Sequence, residues 1–165
     1  MLVALAVPLG AAAGTDTHTS AQRQPSLESL VLQKINTLRE GHGLARLNAS
    51  DKLSRAAVGH SRSMVVDGFF AHESKDGAPF WKRIKAVYAP RSNAWTVGEN
   101  LAMFGGAPPD ANAIVSSWMA SAPHRANLLS HSFTQAGIAI LYDPAAAGVF
   151  GGEPTWIVTL DVGTR

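Results

Sequence analysis

Two β-rich runs near the C-terminal end, Gly137–Tyr142 and Thr155–Val162, constrain the fold more than any other feature. Both are short, apolar and rich in Ile, Val and aromatic residues, which favours strand over helix. The Pro- and Gly-containing stretch Asp143–Pro154 between them returns the chain, so the two runs are expected to pair as an antiparallel hairpin. A lone hairpin is marginal in water and needs a covering layer.

The preceding residues supply that cover, because their apolar side chains recur at helical spacing. Leu27, Leu30, Val31, Ile35 and Leu38 form a stripe introduced by Pro25 and Ser26 and closed by Gly41 and Gly43. A second stripe, Leu53, Ala56, Ala57, His60 and Met64, follows Ser50 as N-cap and stops at Gly68. Pro79 opens a short third helix through Phe80, Ile84 and Val87, followed by a loop over Ala89–Thr96. Asp110 caps a fourth helix through Trp118, and Pro123 starts a fifth that reaches Leu129. With a third strand at Asn100–Phe104, the pattern predicts an α+β layered domain.

Of the 165 residues, 46% are hydrophobic, enough for one core but not for two comfortable domains. The 14 basic and 12 acidic residues leave a net charge of +2 with no block of one sign, so nothing in the chain calls for nucleic acid. Cysteine is absent, which excludes disulfides, thiolate metal sites and a Cys nucleophile. Residues 1–13, MLVALAVPLGAAA, read as a signal-like apolar segment ending in small residues, although the basic start of a signal peptide is missing and a short buried helix would share the composition. The segment is too short for a stable transmembrane anchor. Residues 14–25, rich in Thr, Ser and Gln, read as a flexible linker, so the folded domain is expected over residues 26–165. A secreted, extracellular destination follows from that reading.

Six histidines are the main carriers of chemistry. His18 in the linker, His42 in a turn and His131 in a Ser-His-Ser turn read as surface residues, and His60 on an apolar stripe reads as a hydrogen-bonded core residue. His72 and His124 stand at the edges of regular structure. Glu99, in Gly98-Glu99-Asn100, is a carboxylate at the start of a half-buried strand and needs a partner such as an imidazole. Spacing alone gives no compact metal motif. Ser121 reads as the cap of the fifth helix. Although His124 lies three residues on, no oxyanion hole is identifiable that would make Ser121 a nucleophile. Arg39 and Arg125 read as braces for loops, and Trp118 and Trp156 as core anchors.

Taken in order, Ile35-Asn36-Thr37-Leu38-Arg39, Ala57 through His60-Ser61 to Met64, Gly68-Phe69-Phe70-Ala71-His72, Gly98-Glu99-Asn100-Leu101, Trp118-Met119-Ala120-Ser121, Pro123-His124-Arg125-Ala126-Asn127-Leu128-Leu129, Gly137-Ile138 and Trp156 form a specific combination. From about Leu30 to Gly163 the chain resembles the CAP superfamily of cysteine-rich secretory, antigen five and pathogenesis-related proteins, in its cysteine-free bacterial, SCP-like branch. The resemblance implies a three-layer α-β-α sandwich with a small antiparallel sheet. It also implies a cleft holding two histidines and two glutamates, able in some members to bind a divalent metal. His72, His124 and Glu99 match three of these, and Ser121 stands where the second glutamate is expected. The resemblance thus implies at most a weak zinc site on His72, His124 and Glu99, and no firm cofactor. Val162, where the bacterial pattern carries an aromatic residue, is a second departure.

Three readings of function remain open at this level. The cleft binds a lipid, peptide or cell-envelope component, or it is the site of a hydrolase using Glu99 or His72 with or without a metal, or the domain is a non-catalytic surface-interaction module. The catalytic residues, if any, and the oligomeric state are not legible from the sequence.

Overall fold

The structure is a computed structural model that describes residues 21–91 and 93–165. The signal-like segment, and the linker as far as Ser20, lie outside the described residues. The elements run β1 (Gln22–Arg23), α1 (Pro25–Gly41), β2 (Asn48–Ala49), α2 (Asp51–Asp67), α3 (Phe80–Val87), β3 (Thr96–Gly105), α4 (Ala111–Ala120), α5 (Ala122–Leu128), β4 (Gln135–Ala146) and β5 (Glu153–Thr164).

Local chemistry accounts for the helix ends. The Ser50 side chain accepts the Leu53 N–H at the start of α2, and Gly68 ends that helix in the left-handed conformation at φ 65°. Asp110 Oδ1 accepts the Ala113 N–H at 2.7 Å to start α4. Ser121 stands at the N-cap of α5, but its side chain makes no capping hydrogen bond, so that part of the sequence reading does not hold.

The hairpin of β4 and β5 forms the centre of the sheet, whose strand order is β1-β4-β5-β3, with β2 pairing in parallel on β4. Alternation along the central strands divides the core. Ala136, Ile138, Ile140, Val158, Leu160 and Val162 point to the layer of α1, α4 and α5, where Val31, Ile35, Ile114, Trp118 and Leu128 meet them. Val162 is fully buried in this cluster, so an aliphatic residue fills the position where the bacterial pattern has an aromatic one. Ala139, Leu141 and Ile157 point the other way, toward Ala57, Met64 and Val65 of α2. Helices on both faces of one sheet make the three-layer α-β-α sandwich.

Two differences from the sequence reading concern the start and the edges. Residues 22–25 are not linker. Gln22 and Arg23 pair with Tyr142 and Leu141 of β4, the Gln24 N–H donates to the Ile140 carbonyl at 2.9 Å, and Pro25 already belongs to α1. The folded unit therefore includes Ala21, which packs against the core on the α2 side. The strands β3, β4 and β5 also extend beyond their apolar runs, because ladder hydrogen bonds continue where burial pattern alone gives no signal.

Candidate functional site

Elements of both helical layers touch the edge strand β3. Successive residues on it face opposite layers: Glu99 turns toward α2 and α3, and Asn100 toward α5. Asn100 Nδ2 donates to the His124 carbonyl at 3.0 Å, and Asn127 Nδ2 donates to the Glu99 carbonyl at 3.1 Å. Gly98 makes this approach feasible, since a Cβ there would stand 2.9 Å from Asn127 Oδ1 and 2.9 Å from Phe133 Cζ. In this way the Gly-Glu-Asn segment sets the position of α5 and with it His124.

His72 is placed by the exit of α2. Gly68 lies so close to Gly148 that a Cβ would come within 2.8 Å of the Gly148 Cα, and the Val149 N–H donates to the Gly68 carbonyl at 3.1 Å. Beyond this backbone contact the chain passes Phe69 and Phe70, both packed on the core, and the buried His60 donates from Nε2 to the Ala71 carbonyl at 2.8 Å. Arg83 Nη1 donates to the His72 carbonyl at 2.7 Å. The backbone on both sides of the His72 ring is therefore tied down.

The side chains then meet. His72 Nδ1 donates to Glu99 Oε1 at 2.7 Å, and Arg83 Nη2 donates to Glu99 Oε2. The Glu99 side chain is 1% exposed and that of His72 43% exposed, so the carboxylate lies behind the imidazole. Burial pushes the Glu99 carboxyl up, but the His72 hydrogen bond and the Arg83 charge more than reverse this and hold it below the usual carboxylate range. The Glu99 hydrogen bond raises His72 above an ordinary histidine against its partial burial. The His124 ring lies 6.4 Å from that of His72, and burial followed by the His72 charge lowers it. Two neighbouring imidazoles are thus driven apart in proton affinity, which lets one donate as a cation while the other accepts as a neutral ring.

Behind Glu99 lies a group that sequence reasoning missed. Asp161 of β5 is the direct cross-strand partner of Glu99 and is fully buried, and neither of its carboxyl oxygens receives a hydrogen bond. Burial and then the Glu99 charge raise its carboxyl well above the ordinary range. Its neighbour on the other side is Gly137, and α2 rests directly on that glycine. Arg83 was also missed. It lies in α3 beside Ile84, in a helix legible only from Pro79 and the apolar positions Phe80, Ile84 and Val87. The available signal was the buried carboxylate itself, since an imidazole satisfies only one of its two oxygens.

A divalent metal of the kind the resemblance implies does not fit these residues as they stand. Both Glu99 oxygens are engaged, a guanidinium already neutralises the carboxylate, and Ser121 offers no charge in place of the second glutamate. Among the described residues no three His, Asp or Glu side chains are grouped to hold an ion.

Next to His72, Phe80 stands 6.4 Å away, ring to ring, and opens a shallow apolar groove of about 450 Å³ lined by Phe80, Trp81, Trp95, Thr96 and Val97. Trp81 is 40% exposed there, an unusual position for a large apolar side chain.

Known proteins share this arrangement of chain and sheet. The profile of the cysteine-rich secretory protein family matches residues 32–159. The uncharacterized membrane protein YlbC of Bacillus subtilis is 31% identical over 117 residues, covering 71% of this chain and 32% of its own length. The uncharacterized protein YkwD of the same organism is 34% identical over 128 residues, covering 75% of this chain and 46% of its own. The chain therefore spans less than half the length of these relatives. Among solved structures, an extracellular protein containing an SCP domain from Bacillus anthracis superposes with a TM-score of 0.66 at 23% identity, over 86% of this chain and 41% of that one. An outer surface protein from Borrelia burgdorferi does so at 0.67 and 18%, over 88% of this chain and 98% of that one. Fold, motif order and family profile agree, and the chain belongs to the cysteine-rich secretory protein, or CAP, family in its cysteine-free bacterial form.

Proposed function

We propose that the protein is a secreted binding module that holds an amphiphilic envelope component, its polar end at His72 and His124 and its apolar part along Phe80, Trp81 and Trp95. The observation that carries this reading is the continuity of the aromatic groove with the imidazole pair through Phe80. A ligand with one polar and one apolar end matches a site with the same two halves. The extracellular and outer-surface settings of the structural relatives support the location. No helix among the described residues is long and apolar enough to cross a membrane.

Tryptophan emission tests the proposal, because Trp118 and Trp156 are buried and a change must come mainly from Trp81 and Trp95. Titration with a monomeric single-chain lipid is expected to shift emission to the blue with saturation, and Trp81→Ala to weaken binding about tenfold, or ~1.4 kcal/mol. An emission spectrum unmoved by lipids of several headgroups would remove the proposal.

One observation favours a second reading, that of a hydrolase. The His72 to Glu99 hydrogen bond fixes that ring through Nδ1 and raises its proton affinity, so it can act as an acid beside the less basic His124, which can accept a proton from water. Turnover of an ester or amide that His72→Gln abolishes, while the same variant still folds, would establish it.

A further inference from the structure

A second concave feature lies on the outer face of α2, beside the edge strand β1. It has a volume of about 480 Å³ and is lined by Arg23, Asp51, Ser54, Arg55, Val58, Gly59 and Arg62. Three arginines and one acid line it, and of the arginines only Arg23 is paired among the described residues, with Glu28 outside the groove. Arg55 and Arg62 are exposed and form no ion pair or hydrogen bond among the described residues, not even with Asp51 one turn before Arg55. They stand seven residues apart on one helix face, which separates them by about 10 Å along the axis. The helix surface between them is low, because a Cβ built on Gly59 would meet nothing within 4 Å.

Arg23 differs from these two because it is already anchored. Its Nε donates to Glu28 at 2.8 Å and its Nη2 at 2.7 Å, and the same carboxylate accepts the Ile140 N–H at 3.0 Å. This holds the guanidinium at the groove while its Nη1 has no partner among the described residues, so the donor is preorganised before any ligand arrives. A solvated helix face would show free arginines, but not a third one locked in from another element to complete the same concavity.

We propose that this groove is a binding site for a phosphate-bearing anion, separate from the histidine cleft and independent of its function. Planar guanidinium groups match phosphate oxygens in pairs, and three of them around one concavity favour a ligand with more than one anionic group. The phosphates belong either to a free polyphosphate chain or to the headgroups of anionic lipids, and the test separates these sources.

Calorimetry of the full chain with inorganic tripolyphosphate reads the site directly, since this probe has no apolar part to engage the aromatic groove. Saturable binding is expected that weakens as salt rises from about 0.05 to about 0.2 M. The double variant Arg55→Gln, Arg62→Gln is expected to bind at least about tenfold more weakly. Asp51→Asn, which removes the single acid of the groove, is expected to bind more tightly. Sedimentation with phosphatidylglycerol vesicles, against phosphatidylcholine vesicles as control, gives the second arm. Capture by the anionic vesicles that is lost in the double variant assigns the phosphates to headgroups, and tripolyphosphate binding without such capture assigns them to a soluble chain. Absence of saturable binding to either probe, or a double variant that binds both as wild type does, overturns the proposal.

Discussion

Without its guanidinium, Arg83 would leave Glu99, buried behind the cleft, with His72 as its one charged partner. Arg83→Leu is expected to cost about 3 kcal/mol at neutral pH, as for other buried pairs broken from one side. The loss should shrink at about pH 4, where Glu99 can take up a proton instead. Urea unfolding at the two pH values measures both. Asp161 acts in the opposite sense. Its carboxyl is raised in the folded state, so unfolding releases a proton at any pH between the ordinary and the raised value, and wild-type stability is drawn down as pH rises through that window. Asp161→Asn removes this term. The melting temperature of the variant relative to wild type should therefore climb as pH rises above the ordinary carboxylate range, and a flat difference would contradict a raised Asp161. His72, Glu99 and His124 were legible because local motifs carry them. Arg83 and Asp161 were not, since a charge in a short helix and an acid in an apolar strand acquire meaning only from what packs across them.

At the scale of elements, glycines decide how closely layers approach. A Cβ on Gly137 would overlap the Ser54 amide nitrogen and the Leu53 carbonyl carbon, so Gly137→Ala must push α2 off the central strand. A loss of about 3 kcal/mol or more in urea unfolding is expected, at the upper end for overpacking. The edge strand β1 gives another expectation. Deleting residues through Gln24 strips Glu28, itself buried, of its Arg23 partner and removes the Gln24 N–H from the Ile140 carbonyl. Such a deletion should lower stability by about 1–3 kcal/mol, whereas a chain starting at Ala21 keeps every described contact. The helices were readable from their 3.6-residue stripes, caps and glycine stops, because those signals are local. The two-residue strands β1 and β2 carry no signal of their own and exist because β4 presents an edge for them.

For the whole molecule, the hydrophobic pattern was enough to imply helices over a C-terminal hairpin, but not which helix covers which face. That depends on the parity of β4 and β5, where a shift of one residue would exchange the two layers. A chain without cysteine must also close its long loops by other means. Arg39, 1% exposed, does this by donating to the carbonyls of Ala45 at 2.9 Å, Leu128 at 2.8 Å and Ser130 at 2.9 Å.

The position of the central strands has a consequence for the order of events during synthesis. Helices α1 and α2 emerge first, yet the strand on which both rest begins only at Gln135, and the distant carbonyls that Arg39 needs lie at Leu128 and beyond. A nascent chain thus carries two amphipathic helices without the sheet that buries their apolar faces until Gln135–Thr164 has emerged, and cooperative folding waits for that hairpin. A version truncated after Thr134 should show weak helical circular dichroism and no protected amides. That order keeps the two leading helices without their sheet, and the segment threadable, until the hairpin is made.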